Sequence, residues 1–507
     1  MCGIVAHFSA PGQSGDRELV ARMARKLSHR GPDGQGLASS GRAAAAHARL
    51  AIIDVENGQQ PMRADGSGSL MVCNGEIYNH LELRSQLATR HVFKSRSDSE
   101  VVLHLHDELG HDCARRLDGM FAFFASSGDS FVAGRDAFGI KPLYFGRAKQ
   151  GGFLFGSELK ALAGACTTFE ALAPGSTIDE AGKPRRWFHP RWETQPGTNR
   201  QVTGLQLANR LERAVVKRLM SDVPLGVFLS GGLDSSIIAE LAARHYPGLM
   251  TFAVGVADAS DLAAARHVAR ALGTRHFECV YTISDAIAAL PEIIYHLESY
   301  DAALIRSSIP CFFLSRLAAE HVKIALTGEG ADELFGGYAH FSQISDPDRF
   351  HVECARLLRG LHGMNLQRVD RMTMAHGLEG RVPFLDLEFA DFAMNVDPRL
   401  NLWSGATLEK RLLREGFAER LPGSILRRRK LEFARGSGAE SGLHAFAASR
   451  VSDRDLLHAS HKFPVDAPKT KEELLYREIF AQLFPGEAWR ASVARWQPEA
   501  SSHTTPC

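Results

Sequence analysis

The stretch Leu229-Ser230-Gly231-Gly232-Leu233-Asp234-Ser235-Ser236 brings together residue types suited to phosphate chemistry. An apolar run over 223–229 has strand character and 237–245 has helical spacing, so the glycines fall at a strand-to-helix turn. At such a turn Gly231 and Gly232 let the backbone approach an anion, and the positive end of the following helix stabilises it. Ser230, Ser235 and Ser236 add hydroxyl donors. A carboxylate at Asp234 would repel a bare phosphate, so it implies a bridging cation, magnesium above others. The chain has neither GxxxxGK[ST] nor GxGxxG at this turn, which excludes a P-loop kinase and a dinucleotide fold. Downstream, Thr327-Gly328-Glu329-Gly330-Ala331-Asp332-Glu333-Leu334-Phe335-Gly336-Gly337-Tyr338 sets three carboxylates among glycines, a second cue for handling metal and phosphate.

A different chemistry stands at the start of the chain. Removal of Met1 would leave Cys2 with a thiol and a free α-amino group, nucleophile and base in one residue. The amine titrates near 8 and the thiol near 8.5, so a neutral amine can take the thiol proton at physiological pH.

Positioning these groups requires two different scaffolds. Over the first third, 3–9, 70–73, 120–126, 131–134 and 152–155 read as strands and 18–27 and 80–89 as helices. From Leu207 onward strands (224–229, 250–256, 276–282, 322–327) alternate with helices (235–245, 262–272, 310–321), which predicts a parallel sheet covered on both faces. Ligands of such sheets lie beyond the carboxyl ends of the strands, where the two phosphate motifs fall. Proline, glycine and polar residues around 174–175 and over 184–198 mark the join.

Composition narrows the class. Of 507 residues, 59 are basic and 58 acidic, which excludes a nucleic-acid or membrane surface built on charge. No apolar run approaches the ~18 residues that span a bilayer, and the N-terminus lacks the build of a signal peptide. The eight cysteines are scattered without a CxxC pair, so reduced thiols and a cytoplasmic location are expected. The ending Thr504-Thr505-Pro506-Cys507 is not a lipidation box. His104 and His106 fall on different faces of an expected helix and read as structural.

Five motifs then occur in an ordered series: Cys2-Gly3-Ile4-Val5, Arg30-Gly31-Pro32-Asp33, Arg49-Leu50-Ala51-Ile52-Ile53-Asp54, Asn74-Gly75-Glu76-Ile77-Tyr78-Asn79 and Ser97-Asp98-Ser99-Glu100. Together they resemble the class II glutamine amidotransferase domain. The resemblance implies an α+β fold, an Ntn-type αββα sandwich over 2–186. It also implies Cys2 as nucleophile, Asn74 and Gly75 as oxyanion donors, and glutamine held by Arg49, Leu50, Ala51, Ile52, Ile53, Glu76 and Asp98.

The Ser230–Ser236 loop resembles the pyrophosphate loop of ATP-pyrophosphatases. With the 327–338 motif, Glu298-Ser299-Tyr300-Asp301, Ile305-Arg306-Ser307-Ser308, Gly380-Arg381-Val382-Pro383-Phe384-Leu385-Asp386 and Glu409-Lys410, it is similar to the synthetase half of glutamine-dependent asparagine synthetases. That likeness implies a doubly wound α/β domain over 205–496; composition sets the linker before it at 187–204, and the small, polar residues 497–507 read as a disordered tail. The same likeness implies ATP and Mg²⁺ as cofactors. ATP would be held by Leu229, Ser230, Gly231, Gly232, Asp234, Ser235, Val254, Thr327, Gly328 and Lys430, magnesium by Asp234 and Asp332, and Glu329 would serve the acyl-adenylate chemistry. The pattern departs from the family at Leu431 and Ala434-Arg435-Gly436. The expected activity is ATP-driven amidation of aspartate with glutamine nitrogen, by a homodimer; the alternatives are a different acceptor carboxylate, or a regulatory protein that keeps the shape without turnover.

Overall fold

The computed structural model describes residues 2–64, 68–195, 200–404, 406–431 and 433–495. The expected disordered tail at 497–507 lies outside the described residues. Two antiparallel sheets form the first domain. One has the order β10-β8-β9-β1-β3-β2, from β1 (Gly3–Phe8), β2 (Gly34–Ser40), β3 (Ala43–Arg49), β8 (Tyr144–Ala148), β9 (Phe153–Gly156) and β10 (Cys166–Ala171). The other has the order β12-β11-β7-β6-β5-β4, from β4 (Met62–Arg63), β5 (Leu70–Ile77), β6 (Gly119–Ser127), β7 (Ser130–Arg135), β11 (Ser176–Asp179) and β12 (Arg185–Arg186). Their inner faces meet in an aromatic core around Phe8, Phe124, Phe131 and Phe155. The helix Arg17–Arg25 covers the first sheet, and the helices His80–Leu87 and Glu100–Leu109 cover the second. This is the expected αββα sandwich.

Every strand expected here is present within a few residues at its ends, but β2, β3, β4, β8 and β10–β12 were not anticipated. The reason is plainest in β3, where Ala43-Ala44-Ala45-Ala46 is a poor intrinsic β-former. Its residues are all buried between β1 and β2, so tertiary packing selects small side chains there. Within Glu100–Leu109 every residue from Glu100 to His106 is buried, so His104 and His106 are both interior despite their angular separation.

The second domain is built on a five-stranded parallel sheet in the order β15-β14-β13-β16-β17: β13 (Leu225–Phe228), β14 (Met250–Gly255), β15 (Arg275–Val280), β16 (Ile324–Leu326) and β17 (Glu379–Arg381). Strand order reverses at β13, so the crevice between β13 and β16 is the topological switch point where ligands of such sheets bind. The four strands expected from sequence are all there; β17, three residues with no alternation, carried no signal.

One composition-based expectation fails. The helix Ala302–Ala319 reaches 18 residues and is apolar enough to cross a membrane, whereas no such run was expected. Most of it is buried against β14 and the helices Ile283–Leu297 and Asn365–Met374, which marks it as a core helix. The first part of the expected linker packs against the first domain: Trp187 stacks on Phe121, and Trp192 lies in a core cluster shared with Leu50, Ile52 and Met120. Cys2 and the six other cysteines among the described residues are free thiols.

Candidate active sites

The first site is assembled from the ends of β1, β3 and β5. Cys2 is buried, its backbone N–H donates to Asn74 Oδ1 at 2.9 Å, and its Sγ lies 3.8 Å from the Leu50 carbonyl oxygen. Asn74 is fully buried, yet its Nδ2 has no hydrogen-bond partner among the described residues. A buried amide donor left unmatched costs about 1–3 kcal/mol. An amide in that state suits an anionic oxygen placed beside the thiol. Gly75 adopts φ 141° within β5, and a Cβ there would stand 1.9 Å from the Met120 carbonyl oxygen of β6, so only glycine fits this point of the strand pair. We expect Asn74→Ala to lower glutamine hydrolysis by about 10²–10³-fold, read as glutamate release, and to spare turnover with free ammonium.

Arg49 is buried and donates to the carbonyl oxygens of Asp54 (2.7 Å) and Val55 (2.8 Å), which fixes the turn after Leu50-Ala51-Ile52-Ile53. Asp33 accepts the Ala51 N–H at 2.8 Å and braces the same segment. Opposite, Asp98 Oδ2 accepts the Ile77 N–H at 2.6 Å. Burial pushes the Asp98 carboxyl up, so it gains from an incoming ammonium. Glu76 is also pushed well up by burial and by Glu379, and its Oε2 lies 3.4 Å from Arg381 of the second domain. Glu76 therefore faces the domain boundary as well as the pocket.

The loop carrying Asp98 is held by Glu100, which accepts the Lys94 and Ser95 N–H groups at 2.7 and 2.8 Å and the Ser95 hydroxyl at 2.6 Å. Against the upward push of burial, His104 and these donors hold the Glu100 carboxyl at about 2. A depressed carboxylate contributes stability above its unfolded value of 4.5 that is lost as pH falls toward about 2. We expect Glu100→Gln to destabilise the protein by about 2 kcal/mol at pH 7, below the full ~1.4 kcal/mol per pH unit because solvent screens the loop. In urea melts that difference should shrink steadily below pH 4.5 and vanish near 2, and the KM for glutamine should rise.

The second site is a cleft of about 390 Å³ at the β13/β16 switch point. It gathers Leu229, Ser230, Gly232, Asp234, Ser235 and Val254 from one side and Thr327, Gly328, Glu329, Asp332 and Lys430 from the other. Gly231 is the exception. It has φ 68°, and a Cβ on it would stand 2.5 Å from the backbone of Ala264, so its glycine serves packing against the helix Ser260–Leu272 rather than approach to an anion. Gly232 N-caps the helix Leu233–His245, with Asp234 in its first turn. Ser230 and Ser235 hydroxyls bond each other at 3.1 Å.

Sequence reading left three cations of this cleft without a role. Lys410 Nζ lies 2.5 Å from both Asp234 and Asp332, and Lys430 pairs with Asp332 as well. Lys410 sits at φ 59°, a left-handed conformation costly for a side chain with Cβ and concentrated at functional sites. Arg428 donates to the Ser230 carbonyl oxygen at 3.3 Å and to Asp261 at 2.6 Å, pinning the phosphate loop. Arg368 is ion-paired with Glu329. The pairing rule for buried carboxylates could have found Lys410: two acids facing one crevice require a counter-charge. Asp234 and Asp332 also suit a hard divalent cation, because they offer only oxygen donors, converge on one nitrogen, and leave Asp234 Oδ1 buried without a hydrogen-bond partner. Leu431 is 48% exposed at the cleft, and Gly436 packs against Asp261, so the family departures lie at the mouth of the site.

The two domains and their sites define a two-site amidotransferase: a terminal-thiol glutaminase and a nucleotide-activating synthetase on one chain. Residues 1–183 match the family model of the glutamine amidotransferase domain, and 206–345 with 342–504 match that of asparagine synthase. The chain is 42% identical over 516 residues to the glutamine-hydrolysing asparagine synthetase of Asparagus officinalis, covering 97% of this chain and 87% of that protein. It is 39% identical over 544 residues to a probable enzyme of the same name from Dictyostelium discoideum, covering 100% and 98%. An Arabidopsis thaliana relative of that name is 42% identical over 97% of this chain and 89% of its own length. The chain belongs to the glutamine-hydrolysing asparagine synthetase family.

Proposed function

We propose that this chain converts aspartate to asparagine, drawing nitrogen from glutamine and releasing glutamate, AMP and pyrophosphate. The observation that carries the reading is the convergence, in one polypeptide, of a buried thiol beside an unmatched amide donor and a carboxylate–lysine cleft at a sheet switch point.

Burial pushes the Cys2 thiol up, so a thiolate needs a base within reach. The α-amine freed by loss of Met1 is that base. The thiolate attacks the glutamine amide carbon, Asn74 Nδ2 and the Gly75 N–H receive the oxyanion, and as the carbon–nitrogen bond breaks the amide nitrogen takes the proton held by the α-amine and leaves as ammonia, with the thioester formed on Cys2. Arg49 and the segment 49–53 hold the substrate carboxylate, and Asp98 its ammonium. Water then releases glutamate.

In the cleft, the acceptor carboxylate attacks the α-phosphorus of ATP, and pyrophosphate leaves toward Ser230, Gly232 and Ser235. Lys410 and Lys430 offset its growing charge, and Leu229, Val254, Thr327 and Gly328 line the nucleotide. Asp234 and Asp332 would hold magnesium, which supplies further positive charge at the leaving phosphates. Ammonia attacks the acyl carbon, Glu329 takes a proton from it, and AMP departs.

The nitrogen must cross between sites as neutral NH₃. The physical boundary is buried: Arg381 of β17 donates to Glu379 at 2.5 Å, reaches toward Glu76, and its carbonyl oxygen accepts the Thr327 N–H at 2.8 Å. We place the passage along this seam, from Gly75 past β17 to the carboxyl end of β16. The seven free thiols among the described residues fit a reducing, cytoplasmic setting.

The test is a panel of aspartate, glutamate and other acidic acceptors with glutamine, ATP and magnesium. Asparagine and AMP from aspartate alone support the reading; AMP formed with another acceptor moves the assignment to that carboxylate.

A further inference from the structure

One helix touches both sites. Asn365–Met374 is buried along nearly its whole length. Residues two apart on a helix point to opposite sides, and here Arg368 and Asp370 do so with different targets. Arg368 pairs with Glu329 in the nucleotide cleft. Asp370 takes a two-pronged bond from Arg30 of the first domain, at 2.8 and 3.1 Å. The third nitrogen of that guanidinium, Arg30 Nε, donates to the carbonyl oxygen of Cys2 at 3.1 Å, and Nη1 also donates to Glu158 at 2.7 Å. The neighbouring Arg371 extends the lock, reaching Glu158 and Glu298 at 2.9 Å each. Lys160 closes it, 2.5 Å from Glu158 and 3.4 Å from Glu298.

These groups form a balanced set, Arg30, Lys160 and Arg371 against Glu158, Glu298 and Asp370, with almost no solvent contact. Buried ion pairs are weak sources of stability, because desolvation offsets attraction; their best-attested use is to fix register. This set fixes the register of one helix against the residue that bears the nucleophile. A rotation or slide of the helix would move Arg368 and Asp370 together, and with them Glu329 and the backbone of Cys2.

Resting on the two-site reading above, we propose that Asp370 is a positioning residue through which the helix Asn365–Met374 couples glutamine hydrolysis to acyl-adenylate chemistry. It touches neither substrate; it aligns Cys2 through Arg30 while the opposite face of the same helix holds Glu329. The coupling matters because ammonia released without an acceptor is lost.

The experiment measures glutamate and AMP together in the full chain, with glutamine and then with ammonium chloride as nitrogen source. The wild-type rates come first and test the reaction itself: without them the two-site reading fails, whatever the helix does. Given those rates, Asp370→Asn should raise the glutamate-to-AMP ratio at least threefold, keep ammonium-dependent AMP release within twofold, and be partly corrected by Asp370→Glu. A ratio that stays at the wild-type value overturns the coupling. If Asp370→Asn loses activity with both donors, hydrogen exchange of the wild type decides. Alkylating Cys2 with the glutamine analogue 6-diazo-5-oxo-L-norleucine should change exchange at amides 365–374 at least threefold, and unchanged exchange there overturns the proposal.

Discussion

Replacing Cys2 with alanine is expected to abolish glutamine-dependent asparagine formation, by on the order of 10⁴-fold or more, and to leave the ammonium-dependent reaction within about twofold of wild type. The thiol supplies the bond-forming atom, and the Cys2 backbone N–H binds the Asn74 side chain whose Nδ2 is unmatched. Its loss is therefore not spread over partners, as the loss of an orienting group would be. The side chain is small and its only polar contact among the described residues is a long one, 3.8 Å to the Leu50 carbonyl, so alanine leaves the fold intact. Glutamate release and AMP release, assayed separately, check this. Loss of both with ammonium present would mean that the two sites are not separate.

The second large effect falls in the other domain. Asp234→Asn should lower pyrophosphate and AMP release by about 10³-fold with either nitrogen source, a loss of about 4 kcal/mol in transition-state stabilisation. The carboxylate stands in the first turn of the helix after the phosphate loop, and it shares Lys410 with Asp332 at 2.5 Å. Asparagine preserves the shape and leaves Asp332 to balance the buried ammonium, so the defect is in charge rather than folding. Glutamine hydrolysis in the absence of ATP should persist, because Cys2 and Asn74 lie in the other domain. Pyrophosphate release with both donors, set against basal glutamate release, separates these outcomes.

Much of both sites was legible because their residues sit in short local motifs. Ser230 to Ser236 encodes its own geometry: a strand, a glycine turn and a helix start, which the structure reproduces from β13 to Leu233–His245. Asn74-Gly75, which by local rules could be a turn, lies inside β5 opposite Ala122 and Phe121, and only the structure reveals that Asn74 Nδ2 is unmatched. What stayed hidden depends on contacts distant in sequence. Lys410 lies 176 residues from Asp234, and a basic residue after Glu409 carries no local sign of its partner. Arg30 and Asp370 are 340 residues apart, so the lock between domains is invisible to any window along the chain. Gly231 shows the opposite error: a local rule assigned it to ligand approach, whereas Ala264 from the next helix dictates its identity. The alanine strand β3 shows tertiary packing overriding propensity.

The most direct measurement follows the nitrogen. Glutamine labelled with ¹⁵N in its side-chain amide is supplied with aspartate, ATP and magnesium at pH 7, in the presence of unlabelled ammonium kept well below the concentration that supports the ammonium-dependent reaction, and asparagine is analysed by mass while AMP and ADP are quantified. A single chain that passes ammonia between Cys2 and the nucleotide cleft should give asparagine carrying the label undiluted, with one AMP for each asparagine. Unlabelled asparagine, or ADP accumulating in place of AMP, would contradict it.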